Sequence, residues 1–261
     1  MSVVLTGSRG YVGTATRELL EDSGYEVIEI DKKIGRNTMY IFSYLINDKP
    51  TAIIHLSALK SIPESKKKPW AYYFNNILST LSTAIVAKVL SIPVVFASSA
   101  AVYSPFNAYA KGKVWEERLL GLICPSVAVL RYFNIAGKTP TVQDIGSTNI
   151  FSIIGRQPEI TINSITSTRD YVHVLDIARA NVMAMEHLKN NKSFTTDIFT
   201  GINTNMLDVI EEYKKHGRII DYTVLGTEDV STYPMLDNRD IFSWKPIYTF
   251  SQAIESEIKE N

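Results

Sequence analysis

Apolar and polar positions in the first 135 residues alternate between short β-rich runs and longer stretches with helical spacing. The short runs predict strands at residues 2–6, 25–30, 52–56, 93–97 and 127–131. The longer stretches predict helices at residues 11–23, 70–90 and 108–122. Residues 31–52 leave room for at most one helix and a short strand. The alternation predicts an α/β fold, a doubly wound parallel sheet of the Rossmann type with helices on its faces.

The pattern loosens after Asn134. A helix is predicted at 174–188, a strand near Ile198, a helix at 205–215, a strand near 219–225 and a last helix at 251–259. We interpret residues 1–135 as the sheet domain and residues 136–261 mostly as a smaller mixed lobe, with segments near 165–200 returning to the sheet. No Pro/Gly/Ser-rich linker separates the two, so we expect them to pack as one unit.

Composition excludes several classes of protein. Lys plus Arg and Asp plus Glu both number 27, so the chain lacks the basic excess of a nucleic-acid-binding protein. The single cysteine, Cys124, excludes an internal disulfide framework and a cysteine-rich zinc site. The longest apolar run, 119–130, is interrupted by Gly121 and Pro125, and the N-terminus lacks signal-peptide features. These features predict a cytoplasmic protein with no membrane partner, and the four histidines show no metal-ligand spacing.

Three glycines, Gly7, Gly10 and Gly13, follow the first strand at intervals of three and open the first helix. Such a turn brings backbone N–H groups close to a pyrophosphate and places it at a helix N-terminus. Asp31 ends the second predicted strand, where a carboxylate can accept both ribose hydroxyls. It favours NAD over NADP, although Lys32 and Lys33 add positive charge beside it. The alternative is a glycine-rich turn that merely joins a strand to a helix.

Tyr109 and Lys113 lie four residues apart, on one face of a predicted helix. An ammonium near a phenol favours the phenolate, which suits a general acid/base. Ser99 follows the preceding strand, and the carboxyl ends of parallel strands border the ligand crevice. Ser99 is therefore a candidate to bridge a substrate hydroxyl and Tyr109. The alternative is an exposed Tyr/Lys pair beside a serine-rich turn.

Five blocks of sequence, in this order along the chain, resemble the extended short-chain dehydrogenase/reductases, and within them the UDP-glucose (UDP-galactose) 4-epimerases. The blocks are 6–13; 53–60 with 63–65 and 72–76; 95–103; 130–134; and 169–176. This chain is shorter than is usual in that family. The resemblance implies an NAD-dependent sugar-nucleotide epimerase whose first domain binds NAD and whose second lobe binds the nucleotide sugar, most simply a UDP-hexose.

The resemblance assigns roles to matching positions. Tyr109 is implied to be the catalytic acid/base, Lys113 its partner and a ligand of the nicotinamide ribose, and Ser99 the residue that holds the sugar 4-hydroxyl. The implied cofactor-binding positions are Gly7, Gly10, Tyr11, Val12, Gly13, Asp31, Lys32, Leu56, Ser57, Ala58, Lys60, Asn75, Tyr109, Lys113 and Phe133. The implied substrate-binding positions are Ser99, Ala101, Asn134, Asn149, Arg169, Asp229 and Tyr233.

The family mechanism removes hydride from C4 to NAD, forms a 4-keto sugar and reduces it on its other face. Dehydratases of the family carry an Asp-Glu pair where this chain has Ala100 and Ala101, so elimination of water is disfavoured. Two alternatives remain open. One is a sugar-nucleotide 4-keto reductase or an epimerase of another nucleotide sugar, and the other is a degenerate NAD-binding regulatory module. The family also implies a homodimer formed through the helices predicted at 70–90 and 108–122.

Departures from the family pattern fall mainly at substrate-binding positions. Only residues 104–108 separate Tyr103 from Tyr109, where the family has a longer loop. Ala101 replaces a threonine, and Gly226 replaces an arginine that holds the diphosphate. A charge-assisted hydrogen bond contributes about 1.5–3 kcal/mol, so its loss predicts roughly tenfold to hundredfold weaker binding unless another cation substitutes. Residues 31–52 are also shortened, so the adenine pocket is not assigned, although Asn37 is a candidate.

Overall fold

The structure of the protein is a computed structural model, which describes residues 1–45, 48–139, 141–142, 150–156, 159–190, 192–226 and 231–258. Its strands are β1 Ser2–Thr6, β2 Glu26–Ile30, β3 Ala52–His55, β4 Val94–Ser99, β5 Val127–Tyr132, β6 Asn134–Ala136, β7 Glu159–Ile162, β8 Tyr171–His173, β9 Phe194–Ile198 and β10 Asp221–Val224. Its α-helices are α1 Tyr11–Asp22, α2 Ile41–Tyr44, α3 Ile62–Lys67, α4 Pro69–Leu90, α5 Ala108–Ile123, α6 Ile150–Arg156, α7 Val174–Leu188, α8 Met206–Lys215 and α9 Phe250–Ile258.

Six strands form the central sheet in the order β2-β1-β3-β4-β5-β9, and every neighbouring pair is parallel. The chain moves from β1 to one side for β2 and returns to the other side for β3. In open parallel sheets, ligands bind at such a reversal, outside the carboxyl ends of the strands. The predicted Rossmann-type fold is confirmed, and the reversal places the crevice at the ends of β1 and β3.

Both faces of the sheet are covered, which explains why its strands are apolar at consecutive positions. Leu5 and Ile54 point into a core that includes residues of α1 and α7. Val4 and Ile53, their neighbours along the strands, point to the opposite face and pack with residues of α4 and α5. The sheet therefore holds α4 and α5 on one side and α1 and α7 on the other.

The remaining strands form two small parallel sheets, β6-β8 and β7-β10. A separate core that includes Phe151, Tyr171, Tyr213 and Ile254 packs beside them. The strand β9 joins the main sheet next to β5, although it lies in the second half of the chain. The division near residue 135 remains a prediction.

The pattern of apolar and polar positions did not predict several short elements. The helices α3 and α6 and the strands β6, β7 and β8 were not predicted. Residues 31–45 contain two 3-10 turns and α2 but no strand, whereas a short strand had been allowed for the 31–52 connection. The predicted strand at 219–225 and the last helix begin and end within two residues of β10 and α9. No helix among the described residues is both long and apolar enough to cross a bilayer.

Candidate active site

The glycine-rich turn lies at the carboxyl end of β1, where the backbone packs too closely for side chains. Gly7 adopts a φ of +71°, and a Cβ there would lie 2.9 Å from the Ser57 backbone nitrogen. A Cβ on Gly13 would lie 1.9 Å from the Gly7 carbonyl oxygen. The N-cap of α1 is Gly10, which provides no side-chain cap. The turn thus leaves the first N–H groups of α1 available to an anion, as a dinucleotide pyrophosphate requires.

Asp31 fastens the glycine-rich turn to the end of β2. One carboxylate oxygen accepts the Arg9 backbone N–H at 3.0 Å, and the other accepts the Lys33 backbone N–H at 2.8 Å. The Lys33 ammonium donates to the Arg9 carbonyl at 2.8 Å. Lys32 reaches across to Asn75 Oδ1 at 2.5 Å. Four predicted cofactor positions, Gly10, Asp31, Lys32 and Asn75, are therefore brought to one place.

Other predicted cofactor positions line the same end of the sheet. The hydroxyl of Tyr11 donates to the Gly137 carbonyl, and the Lys60 ammonium lies 5.8 Å from the Tyr11 ring centroid. Leu56, Ser57 and Ala58 follow β3, and the Ser57 backbone N–H donates to Thr6 Oγ1 at 3.2 Å. Phe133 is buried against Phe199, and Val12 packs against the core beneath α1.

Asn107 caps the N-terminus of α5 by accepting the Ala110 backbone N–H at 2.9 Å. This cap places Tyr109 in the first turn of α5 and Lys113 one turn further on. The Lys113 ammonium donates to the Ala97 carbonyl of β4 at 2.9 Å, which ties α5 to the strand that ends at Ser99. Ser99 Oγ accepts the Ala101 backbone N–H at 3.2 Å, so its own hydrogen stays available to a ligand.

Besides Ser99 and Ala101, the predicted substrate positions that the structure describes are Asn134, Arg169 and Tyr233. The side-chain nitrogen of Asn134 donates to the carbonyl of Asp170, the residue after Arg169, at 3.2 Å. Arg169 forms a two-way backbone bridge with Thr204. The hydroxyl of Thr168 donates to Tyr233 Oη at 3.3 Å. These contacts place Asn134, Arg169 and Tyr233 beside the paired strands β6 and β8.

The other substrate positions give less structural information. Asn149 and Asp229 lie outside the described residues. Ala101 sits in the 3-10 turn Ala100–Tyr103 that follows Ser99. Gly226 adopts a φ of +67°, and a Cβ there would meet nothing within 4 Å.

A polar cluster connects this 3-10 turn to the segment that contains Tyr233. Tyr103 donates to the buried carboxylate of Asp197 at 2.6 Å, and Arg131 donates to Tyr103 Oη at 3.0 Å. Burial, followed by the bond to Asp197, raises the pKa of Tyr103 to about 12. The second oxygen of Asp197 accepts the backbone N–H groups of Met235 and Leu236 at 2.8 and 3.0 Å. Asp197 therefore fixes the loop that follows Tyr233 relative to the turn that follows Ser99.

Sequence reasoning missed a buried polar chain behind Lys113. Glu116 pairs with Lys113 at 3.1 Å, and the Thr80 hydroxyl contacts both Glu116 and His55. Desolvation, aided by the positive charge of Lys113, lowers the pKa of His55 to about 3. The only sequence signal was the spacing of three residues between Lys113 and Glu116, which is common on exposed helices. Among the described residues, no group of His, Cys, Asp and Glu side chains is arranged to hold a metal ion.

Comparison with known proteins gives matches across nearly the whole chain. Residues 3–196 match the NAD dependent epimerase/dehydratase family. The UDP-glucose 4-epimerase of Rhizobium leguminosarum bv. trifolii is 28% identical over 318 aligned positions, which cover 98% of this chain and 95% of the relative. The UDP-glucose 4-epimerase of Lactobacillus helveticus is 28% identical, covering 94% and 92% of the two chains. The alignment of 318 positions exceeds the 261 residues of this chain, so the relative has segments that this chain lacks.

The fold is shared with a solved UDP-glucose 4-epimerase from Bifidobacterium longum in complex with NAD+ and UDP. Its TM-score to this chain is 0.89 at 24% identity, covering 99% of this chain and 97% of the solved one. The shared fold agrees with the predicted resemblance, and the family match confirms that resemblance, the enzyme class and NAD as the cofactor.

Proposed function

Because the chain belongs to the NAD dependent epimerase/dehydratase family, we propose that it interconverts UDP-glucose and UDP-galactose by inverting C4 through a 4-keto sugar. The observation that carries the proposal is the placement of Ser99, Tyr109 and Lys113. Ser99 ends the strand β4, and the two others lie one turn apart on the helix that Lys113 ties to β4. All three stand at the carboxyl edge of the sheet, where the glycine-rich turn also lies.

The proposed mechanism uses Tyr109 as the proton carrier. The Tyr109 phenolate takes the proton of the sugar 4-hydroxyl while the Ser99 hydroxyl hydrogen-bonds the same oxygen. NAD, held by the glycine-rich turn and Asp31, would supply the hydride acceptor and donor for C4, which is inverted over the turnover. Tyr109 then gives its proton back to the new 4-hydroxyl, so protons and hydride balance over one turnover. Lys113 would supply positive charge near the phenolate and help to hold the nicotinamide ribose.

The residues at the cofactor end fit NAD in three places. The N–H groups opened by Gly7, Gly10 and Gly13 suit the pyrophosphate. Asp31, Lys32 and Asn75 suit the adenosine ribose, and the Asp31 carboxylate disfavours a 2′-phosphate by charge repulsion. The rest of the proposed NAD site is formed by Phe133, Lys60 and the segment after β3 that contains Leu56, Ser57 and Ala58.

The substrate end is proposed to hold the diphosphate and uridine through Asn134, Arg169, Asn149 and Asp229. We place Ala101 and Tyr233 beside the sugar. In this arrangement Asn134 and Arg169 belong to neighbouring strands β6 and β8 and their flanks, so their positions relative to each other are set by backbone pairing.

The test is incubation of the purified protein with UDP-galactose and chromatographic separation of the products. We expect UDP-glucose to accumulate to an equilibrium mixture with no net change in NADH absorbance. Tyr109→Phe should lower kcat by about 10²–10⁴-fold while NAD binding is retained, because only the proton carrier is lost. Tyr222→Phe, at an exposed tyrosine of β10, is the matched control. Absence of UDP-glucose at every enzyme concentration would rule out this substrate pair.

A second candidate is a sugar-nucleotide 4-keto reductase, or an epimerase of another nucleotide sugar. The observation favouring it is the short connection to α5, in which Phe106 is exposed and only residues 104–107 join the preceding 3-10 turn to the helix. A panel of nucleotide sugars separates these activities, since a reductase consumes NAD(P)H and an epimerase does not. A degenerate NAD-binding regulatory module would show no turnover with any sugar, and Tyr109→Phe would leave its biological activity unchanged.

We also propose that the protein forms a homodimer through α4 and α5. Large apolar side chains are exposed along one stripe of each helix: Trp70, Phe74, Leu78, Ile85 and Val89 on α4, and Trp115 and Leu122 on α5. A stripe of this size suits a partner surface more than solvent. Light scattering after size-exclusion chromatography should give the dimer mass, and Trp115→Glu should shift it to the monomer mass.

A further inference from the structure

Lys113 is a buried ammonium. Only 3% of its side chain is exposed, and its contacts are the Ala97 carbonyl at 2.9 Å, Glu116 Oε2 at 3.1 Å and the Phe96 ring, whose centroid lies 4.4 Å away. A carbonyl dipole and a ring face do not cancel a unit charge. An ammonium removed from water needs a paired carboxylate to remain protonated at low cost.

Glu116 is the carboxylate that meets this need. Its side chain is fully buried, and Lys113 is the cation in contact with it among the described residues. The Thr80 hydroxyl of α4 donates to the same carboxylate oxygen at 3.2 Å. The other oxygen, Oε1, is buried and has no hydrogen-bond partner in the described part of the chain. Thr80 of α4 thus orients the Glu116 carboxylate toward Lys113, and the Glu116 side chain does not contact solvent.

The hydrogen bonds behind Glu116 run in one direction. Because Thr80 donates to Glu116, its oxygen accepts the Nε2–H of His55 at 3.1 Å. His55 Nδ1 then accepts the Thr6 hydroxyl at 2.7 Å, and Thr6 Oγ1 accepts the Ser57 backbone N–H. Burial keeps His55 neutral, since its pKa is lowered to about 3. The ionisable groups along this series of hydrogen bonds are Lys113, Glu116 and His55, and Lys113 and Glu116 form its ion pair.

We infer that Glu116 is the counter-ion that holds the Lys113 ammonium in position beside Tyr109, and that Thr80 and His55 orient Glu116 from the strand edge proposed to bind NAD. Glu116 is a positioning residue, because it acts through Lys113. The importance of this role for catalysis rests on the proposed function of Lys113. The ion pair itself does not rest on that function and can be tested without substrate.

The first test is the thermal stability of two single variants across pH. Glu116→Gln leaves an unpaired buried ammonium, so its Tm should fall by about 10 °C at pH 6–7. The deficit should shrink toward pH 10, because the folded protein can then release the Lys113 proton. Lys113→Met leaves an unpaired buried carboxylate, so its deficit should be greatest at high pH and shrink as pH falls. A purely steric role would give deficits that do not vary with pH.

The double variant Lys113→Met/Glu116→Gln removes both charges at once. Replacing a buried ion pair by neutral groups of similar size is tolerated far better than stranding one partner. We expect its Tm to lie above that of both single variants at pH 7. This variant also keeps the test open if Glu116→Gln alone does not fold. A double-variant deficit equal to the sum of the single deficits would overturn the inference.

Glu186→Gln is the matched control. Glu186 pairs with Lys189 at the same spacing of three residues on α7, at 2.7 Å, but its side chain is 43% exposed. Exposed pairs contribute little, so Tm should change by no more than about 2 °C at any pH.

Turnover of UDP-galactose gives the catalytic readout. Glu116→Gln should move the alkaline limb of the kcat profile at least about one pH unit lower, with the KM at pH 7 within about twofold of the parent. Glu116→Asp, which keeps the charge, should recover most of the alkaline activity. An unshifted limb would show that Glu116 does not act through Lys113. If the parent protein turns over no UDP-sugar, the proposed function fails, whereas the stability cycle still decides the role of Glu116.

Discussion

The cofactor end and the substrate end of the site differ in how completely the protein's own groups fix them. At the cofactor end, a Cβ added to Gly7 or Gly13 would overlap neighbouring backbone atoms, and both oxygens of Asp31 are engaged. At the substrate end, Tyr233 is 55% exposed and its hydroxyl contacts the Thr168 hydroxyl at 3.3 Å. Backbone packing fixes the geometry of the cofactor end, whereas a few polar contacts fix the geometry of the substrate end.

This difference explains where the sequence departs from the family pattern. A change at Gly7 or Gly13 would clash with backbone, so the turn cannot vary without loss of the cofactor site. The turn after Ser99 and the loop that reaches Tyr233 are connected through one carboxylate, Asp197. Such a connection tolerates shorter loops and new side chains around it. The proposed substrate positions can therefore change while the glycine-rich turn and the placement of Tyr109 are retained.

Gly13→Ala should produce the largest effect, because it breaks the packed end. The added Cβ would lie 1.9 Å from the Gly7 carbonyl oxygen, and a backbone atom cannot move aside as a flexible side chain can. We expect at least about a hundredfold loss of NAD affinity by titration calorimetry, equivalent to roughly 3 kcal/mol, together with a lower Tm.

Gly121→Ala is the control for this substitution. Gly121 lies within α5, and a Cβ there would meet nothing within 4 Å. An alanine in a helix is more favourable than a glycine, so NAD affinity should be unchanged and stability equal or higher by up to about 1 kcal/mol. Equal NAD affinities for the Gly13 and Gly121 variants would show that the cofactor end is not fixed by packing.

Acid should destabilise the fold through two buried neutral histidines. The pKa values of His55, beneath the cofactor end, and His173, stacked on Tyr248 at 4.3 Å, are lowered by burial to about 3 and about 4. Their folded-state pKa values lie below the unfolded value of 6.5, so the unfolded chain binds more protons between these pH values. Stability is therefore retained above pH 6.5 and is lost as pH falls. Each histidine contributes up to about 1.4 kcal/mol per pH unit.

Urea unfolding at pH 7, 6 and 5 measures this loss. The ring C–H resonances of His55 and His173 in NMR spectra should keep their neutral-form shifts at pH 5. A protonated His55 at that pH would contradict the buried, uncharged chain behind Glu116.

The sequence predicted the parts of the site that depend on local geometry. The glycine spacing after an apolar run forecast the turn, and the spacing of Tyr109 and Lys113 forecast their common face on α5. Local backbone geometry determines both features, so the sequence alone was enough to predict them. The main sheet was also predicted from local sequence, because its strands are short runs that are apolar on both faces.

Features that depend on contacts between distant segments were not predicted. The strands β6, β7 and β8 have only three or four residues each, and they exist because partners far along the chain pair with them. The engagement of Asp31 by the Arg9 and Lys33 N–H groups required the turn and β2 to be placed together. The burial of Glu116 was not predicted, because it depends on packing against another helix, α4, which contributes Thr80.

Gly226→Arg should produce the smallest effect and tests the loosely fixed end. An arginine donating to the diphosphate should tighten UDP binding about tenfold, the lower bound for one charge-assisted hydrogen bond. Gly226 has a φ of +67° and open space around a Cβ, so the substitution brings backbone strain without a clash. That strain, about 1–2 kcal/mol, is present with and without UDP, so it lowers Tm but not affinity. Gly226→Ala carries the strain alone, and calorimetric titration with UDP compares the two variants. If both bind UDP equally, the side chain at position 226 does not reach the diphosphate, and another cation of the substrate end, Arg169 foremost, must hold it.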